Sequence, residues 1–317
     1  LKLGFKMKRL CPESECPSKD HQARIDPKVG RILRKGTYYR RSDGQHIPRF
    51  VCTACGTSFS SARSHSTYRQ KKRQLNLKVC QLLYSGVSQR RAARLLKISR
   101  NTVARKKRFM TIRARKHHET FMQSLTKTPL GFIQFDDLET SEHTKCKPLS
   151  VALAVEPRTR KILGFEVSQM PARGPLSSVA LKRYGPRADL RSDGWNALFA
   201  KLKPIVAPDA RWLSDENPHY PKHLKAHHPE ATHQTTPSRR ARAQGLGELK
   251  KGGFDPLFAL NHTCAMLRAN LNRLFRKTWC TTKNRRGLID HLTLYVWYHN
   301  SQLTREYPIS GATSKEF

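Results

Sequence analysis

The sequence predicts an α/β protein in three parts. Residues 1–66 form a small cysteine-bearing ribbon, residues 67–118 a basic helix–turn–helix, and residues 128–305 a larger domain of mixed strands and helices. Three observations carry that reading. Two close cysteine pairs stand within the first 55 residues, and residues 61–118 hold 18 Lys+Arg and no Asp or Glu. After about residue 128, apolar runs of strand length alternate with longer helical patterns.

The balance of 61 Lys+Arg against 23 Asp+Glu gives a formal net charge of +38 over 317 residues. A pI near 10.5 in a chain of this length points to a polyanion, and nucleic acid is the default partner. Hydrophobic residues make up 37%, low for a globular chain yet enough for a core. No apolar run reaches the roughly 18 residues that span a bilayer, and no signal peptide opens the chain, so neither a membrane protein nor a secreted enzyme is expected. A start at Leu1 fits a fragment or an alternative-start product.

In the ribbon, Cys11 and Cys16 enclose four residues, while Cys52-Thr-Ala-Cys55-Gly56 is a C-x-x-C-G turn. Two such knuckles offer four soft ligands at the spacing of a structural zinc site, and the competing reading is four unrelated reduced thiols. Arg31–Leu33 and Arg49–Val51 read as short strands between them. Cys80, Cys146, Cys264 and Cys280 sit in apolar contexts and read as core residues.

In the basic segment, Leu75–Tyr84 is a short amphipathic helix. Ser88 caps a second helix, Gln89–Leu96, and Lys97-Ile98 form a tight turn. Ser99 caps a third helix from Arg100 to about Arg108. Ala92 and Ala93 allow close crossing, Ile98 plugs the turn and Val103 faces the core. Arg100, Asn101 and Arg105 then point into a DNA major groove, and Lys106, Lys107 and Arg108 rest on phosphates.

In the last domain, Gly131–Phe135 is a strand that runs into Asp136-Asp137-Leu138-Glu139. Pro148–Val155 and Ile162–Ser168 are the next strands. A helix begins at Trp195–Phe199, Ala210–Ser214 is a strand ending in Asp215, and Ala231–Thr236 is a fifth strand. Helical patterns run from Pro256 to about Thr278 and from Leu288 to Asn300. This is the element order of an RNase H-like α/β fold. In it Asp136 and Asp215 end neighbouring strands, where two carboxylates can hold Mg²⁺ ions roughly 3.5–4 Å apart for phosphoryl transfer.

His219, His223 and His227 recur every four residues, but Pro218, Pro221 and Pro229 point to a polar loop rather than a ligand-bearing helix. Arg239–Arg242 and Arg276-Lys277-Thr278-Trp279 read as phosphate contacts. Trp279 either stacks on an unpaired base or belongs to the core, the commoner place for a single Trp.

Together, a cysteine-pair ribbon, a helix–turn–helix and an RNase H-like domain with strand-end aspartates resemble the DDE transposases of bacterial insertion sequences. The resemblance spans about residues 11–300 and rests on Phe135-Asp136-Asp137, Leu213–Asn217 and Leu267-Arg268 through Thr278. It implies a transposase that binds double-stranded DNA at its element's ends and at the target, as a homo-oligomer on DNA in the bacterial cytoplasm and nucleoid. It implies cleavage and joining of DNA strands with Mg²⁺ or Mn²⁺, Asp136 being the first catalytic acid and Asp215 the second. The family's glutamate precedes a basic residue by two helical turns, and counting back seven from Arg268 lands on Asn261, an amide. Glu248, with 32 residues between it and Asp215, is the closest match in spacing; Asp255 is the second candidate. Without a third acid the chain is a catalytically decayed DNA-binding protein derived from a transposase.

Overall fold

The computed structural model describes residues 10–19, 31–237, 255–275 and 278–303. Among them the chain is mixed α/β, with two sheets and eight α-helices. It divides into two compact units, residues 1–77 and 78–317, where the sequence suggests three parts.

The first unit contains a three-stranded antiparallel sheet. β1 (Ile32–Arg40) pairs with β2 (Gln45–Cys52), which pairs with β3 (Ser58–Ser60). Both strands of the expected ribbon are thus longer than the sequence indicates. The β1–β2 turn is closed by a bond from the Gly44 amide to the Arg40 carbonyl, with Gly44 at φ 66°. Asp43 in that turn accepts from Arg40 and Arg73. Ile47, Phe50 and Cys52 are buried, while the side chains of β1 are mostly exposed.

Helix α1 (Leu75–Tyr84) precedes α2 (Gln89–Leu95) and α3 (Arg100–Leu125). The caps fall where the sequence places them: the Ser88 hydroxyl accepts from the Arg91 amide at 3.2 Å and the Ser99 hydroxyl from the Thr102 amide at 3.1 Å. Lys97 takes a left-handed φ of 49°, letting the Ile98 amide return to the Ala93 carbonyl at 3.0 Å. Val79, Leu83, Ala92, Ala93 and Val103 make a small core under this turn, with Leu96 and Ile98 against it.

Helix α3 does not stop near Arg108 but continues to Leu125. Its stripe Val103, Lys107, Met110 and Ala114 recurs at helical spacing and is buried. The partner is α8 (Arg285–Tyr298): Thr111 Oγ1 donates to the Asp290 carbonyl at 3.2 Å, and Arg115 pairs with the Asp290 carboxylate at 3.2 Å. This packing ties α3 to the C-terminal elements. It also corrects the expected phosphate contacts, because Lys106 and Lys107 are only 2% and 5% exposed. Lys107 Nζ donates to the Gly287 carbonyl at 3.0 Å instead.

The second sheet has the order β6-β5-β4-β7-β8, formed by β4 (Leu130–Ser141), β5 (Pro148–Val155), β6 (Ile162–Gln169), β7 (Val206–Asp215) and β8 (Thr232–Thr236). The first three are antiparallel and hairpin-linked; β7 joins β4, and β8 joins β7, in parallel. Alternation along the strands feeds two cores. Leu138, Val151, Leu153, Ile162 and Leu213 pack with α7 (Phe258–Asn270) and α8 on one face. Ile133, Phe135, Ala154, Leu163 and Trp212 pack with α5 (Arg191–Leu202) and α6 (Tyr220–His227) on the other. A further helix, α4 (Leu176–Tyr184), has no counterpart in the sequence reading, and α7 is shorter than expected because Leu271 leaves it in an extended conformation. No described helix is long and apolar enough to cross a membrane.

The buried Lys107 gives the stability a pH signature. Burial and then the Arg273 guanidinium lower its ammonium from 10.5 to about 8, with Asp290 opposing. Below about 8 the group is charged in folded and unfolded chains alike, and the burial cost is fully present. Between about 8 and 10.5 only the unfolded chain keeps the proton, so stability rises with pH across that window. Thermal unfolding of wild type and Lys107→Met across it is expected to show a gain in wild type that the variant lacks; parallel curves would contradict the burial argument.

Candidate functional site

The two adjacent acids of β4 are engaged by side chains of different helices, Asp136 by Tyr220 of α6 and Asp137 by Trp195 of α5. Asp136 Oδ1 accepts the Tyr220 hydroxyl at 3.1 Å and the Asp137 amide at 2.6 Å. Burial first, and then the charge of Asp215, push its carboxyl up to about 7. Asp137 accepts the Trp195 indole N–H at 3.0 and 3.1 Å on its two oxygens. Burial raises it to about 6, against the stabilising bonds of Trp195 and Ser150. Trp195 reaches Asp137 because α5 lies close over β6: a side chain at Gly194 would collide with the Ser168 hydroxyl.

Asp215 is the last residue of β7, and its Oδ1 accepts the Asn217 amide at 3.2 Å. The parallel register pairs Gln134 with Leu213, so Asp136 and Asp215 each stand two residues further along neighbouring strands. Asp136 does not end its own strand, as the sequence suggests. β4 continues beside β5 to Ser141, and it is the partnership with β7 that ends, at Gln134–Leu213, two residues before the acid pair.

Helix α7 is fixed to this strand by one buried side chain. Gln134 Nε2 donates to the Pro256 carbonyl at 2.7 Å, and its Oε1 accepts the Leu260 amide at 3.1 Å. Asp255, just before α7, accepts the Leu257 amide at 2.9 Å and the Asn261 side-chain amide at 2.8 Å. These bonds form a turn ahead of α7, whose N-cap is Leu257 and has no side-chain cap. Cys264, one turn beyond Asn261, is pushed up to about 12 by burial and the Asp136 charge. Glu248 and Arg239–Arg242 lie outside the described residues, as do Arg276 and Lys277.

The four cysteines of the first unit come together. Cys11, Cys16, Cys52 and Cys55 place their sulfurs within 4.8 Å of one another, the one such group of metal-ligating side chains among the described residues. The Cys11–Cys55 and Cys16–Cys52 sulfur pairs are each 3.6 Å apart. Four thiolates about 2.3 Å from a tetrahedral ion would stand roughly 3.8 Å apart, so the set could hold a metal such as zinc. Burial raises the Cys52 thiol, but the Ser18 hydroxyl and the amides of Cys55 and Ala54 outweigh it and hold it at about 6. Gly56, at φ 70°, returns its amide to the Cys52 carbonyl at 2.9 Å and closes the knuckle.

Arg100, Asn101 and Arg105 are exposed on the first turns of α3, and Arg108 is exposed beyond them. The histidine segment is a helix, not a loop. Pro221 occupies the first turn of α6, where no intrahelical amide is lost, and Pro218 and Pro229 lie outside it. His223 bonds Asn196, and His219 stacks over Trp195 with centroids 6.1 Å apart. Tyr220, Trp195 and Gln134 are the site residues that sequence reasoning missed. Each lies inside an apolar or proline-flanked run, and nothing local in the sequence marks it as a partner of Asp136, Asp137 or α7.

Compared with known proteins, the chain matches no family model and no curated sequence.

Proposed function

We propose that this protein is a metal-dependent DNA strand transferase of the DDE transposase kind, with an RNase H-like catalytic domain. The observation that carries the reading is the Asp136–Asp215 pair: two half-buried carboxylates at matching positions of adjacent parallel strands. The sheet order, with three hairpin-linked strands and two parallel additions, supports it. Hard oxygen donors of like charge suit Mg²⁺ or Mn²⁺. A divalent cation bound there supplies Lewis-acid activation of a water or 3′-hydroxyl for attack on a phosphodiester. Asp136 and Asp215 would hold it, and the Tyr220 hydroxyl orients Asp136. Trp195 restrains the neighbouring Asp137, and Gln134 sets where α7 begins relative to the pair. Glu248 is the third acid on this reading, with Asp255 the alternative.

The rival reading is a DNA-binding protein without strand chemistry. Its support is specific: α7 carries no acid, and Asn261, seven residues before Arg268, is engaged by Asp255.

One experiment separates the two. Strand cleavage and joining is measured with Mg²⁺ or Mn²⁺ on the DNA flanking the gene. Cleavage by wild type, lost by at least 100-fold in Asp136→Asn or Asp215→Asn with binding held within a few-fold, is expected. Wild type that binds and never cleaves supports the rival, and cleavage unchanged in the variants removes the metal-site assignment.

Binding is assigned to the helical segment as a helix–turn–helix, with Arg100, Asn101 and Arg105 on base edges. Arg100→Ala or Asn101→Ala is expected to relax sequence preference by about 1–3 kcal/mol per lost base contact. Arg108→Ala is expected to weaken all sequences alike and to flatten the salt dependence. Competition binding at two salt concentrations measures both, and equal losses on specific and random DNA would remove this helix as the reader.

The cysteine set is assigned a structural zinc. Chelation, or Cys52→Ser, is expected to unfold residues 11–60 while the second unit keeps its transition. Purified protein without stoichiometric metal would contradict this, and so would a ribbon that survives the substitution. Assembly as a homo-oligomer on DNA, in a bacterial cytoplasm and nucleoid, belongs to the same proposal.

A further inference from the structure

Trp279 is 100% exposed, whereas Trp195 and Trp212 are 2% and 0% exposed. A tryptophan ordinarily contributes one of the largest apolar areas to a core, so one left wholly in water contributes nothing to folding through that area. Its loop is nevertheless held on the strand side. Thr282, fully buried, bridges in parallel to Glu142 at the end of β4, and its carbonyl accepts the His143 amide at 2.8 Å. Thr278 Oγ1 accepts the Cys280 amide at 2.9 Å, and Asn284 caps α8 through the Gly287 amide at 2.6 Å. The indole thus stands three residues before the Thr282 anchor, in the segment that leads into α8.

The surroundings are basic. Residues 256–289 contain seven Lys+Arg and no Asp or Glu. Lys283, Arg285 and Arg286 are exposed on the same loop and helix start, and Lys145 is exposed on the β4–β5 turn that the loop is anchored to. The one acid at the anchor, Glu142, is paired with Arg187 at 3.8 Å. An exposed aromatic plane among cations, on an anchored loop, has the features of a stacking platform for nucleic acid: the cations take phosphates and the ring takes a base face. A paired base offers no free face, so the partner that fits is an unpaired one. The anchor residue Glu142, just past the end of β4, lies six residues beyond Asp136, about 20 Å at roughly 3.3 Å per residue.

We propose that Trp279 stacks on an unpaired base of DNA, with Lys283, Arg285 and Arg286 on the adjoining phosphates. The proposal rests on the DNA reading above. It adds that the protein holds a locally opened strand some distance from the acid pair.

The test compares full-length wild type, Trp279→Ala and Trp279→Phe on three probes of one sequence: perfect duplex, duplex with a short central mismatch bubble, and single strand. An RNA single strand serves as a fourth arm. Trp279→Ala is expected to weaken bubble and single-stranded DNA binding by about tenfold or more and to leave perfect duplex within about twofold, with Trp279→Phe close to wild type. Equal loss on every DNA probe, or no loss on any, overturns the stacking role while leaving DNA binding by the rest of the protein intact. A change of oligomeric state in Trp279→Ala with unaltered DNA binding would make the indole a protein contact instead. Preference for RNA over the matching DNA strand would also overturn the proposal. Wild type that binds no DNA probe defeats both this proposal and the functional reading beneath it.

Discussion

The C-terminal unit turns on one strand that must partly bury two consecutive carboxylates. Strand β4 is central, antiparallel to β5 and parallel to β7, so its residues 132–138 alternately supply two separate cores. Burial of an ionised acid is costly unless hydrogen bonds or charge compensate it. The surrounding elements supply them: α6 offers the Tyr220 hydroxyl, α5 the Trp195 indole and β5 the Ser150 side chain. The close seating of α5 at Gly194 and the Gln134 attachment of α7 are packing features arranged around that strand. A carboxyl held near 7 is one whose charge is unfavourable in its site, a state that an added cation would relieve.

Much of the architecture could be read from periodicity and caps. Ser88 and Ser99, each opening an apolar stripe, marked the starts of α2 and α3 within a residue. Four strands of the larger sheet appeared as apolar runs because buried strands carry their own hydrophobicity, whereas β8, Thr-His-Gln-Thr-Thr at the sheet edge, is polar and mostly exposed. The ends of elements were less legible. β4 looked finished at Phe135 because acids follow, yet its ladder with β5 continues to Ser141; pairing with a neighbour overrides the local polarity. The histidine segment looked like a loop because proline was weighed as a breaker rather than as a first-turn residue.

The candidate site was legible only in part, for a related reason. Asp136, Asp215 and the four cysteines carry chemistry in their own side chains and announce themselves. Tyr220, Trp195 and Gln134 act only through what they touch, across 84, 58 and 122 residues of chain to their partners. Lys106 and Lys107 show the converse error. Composition makes every lysine in a basic run look like a phosphate contact, while the spacing Val103, Lys107, Met110, Ala114 puts the second of them on the buried stripe of a longer helix.

That longer helix has a mechanical meaning. At about 1.5 Å per residue, the 26 residues of α3 extend roughly 39 Å without a break. The exposed side chains at its start and the stripe that packs on α8 are therefore parts of one rigid rod, with no linker between them. If the start of α3 reads DNA and the acid pair cuts it, the protein behaves as a ruler. The distance and rotational phase between the sequence read and the phosphate cut would be set by the length of the rod. Inserting a few base pairs between them would carry the cleavage point around the duplex, out of reach, rather than stretch a flexible joint.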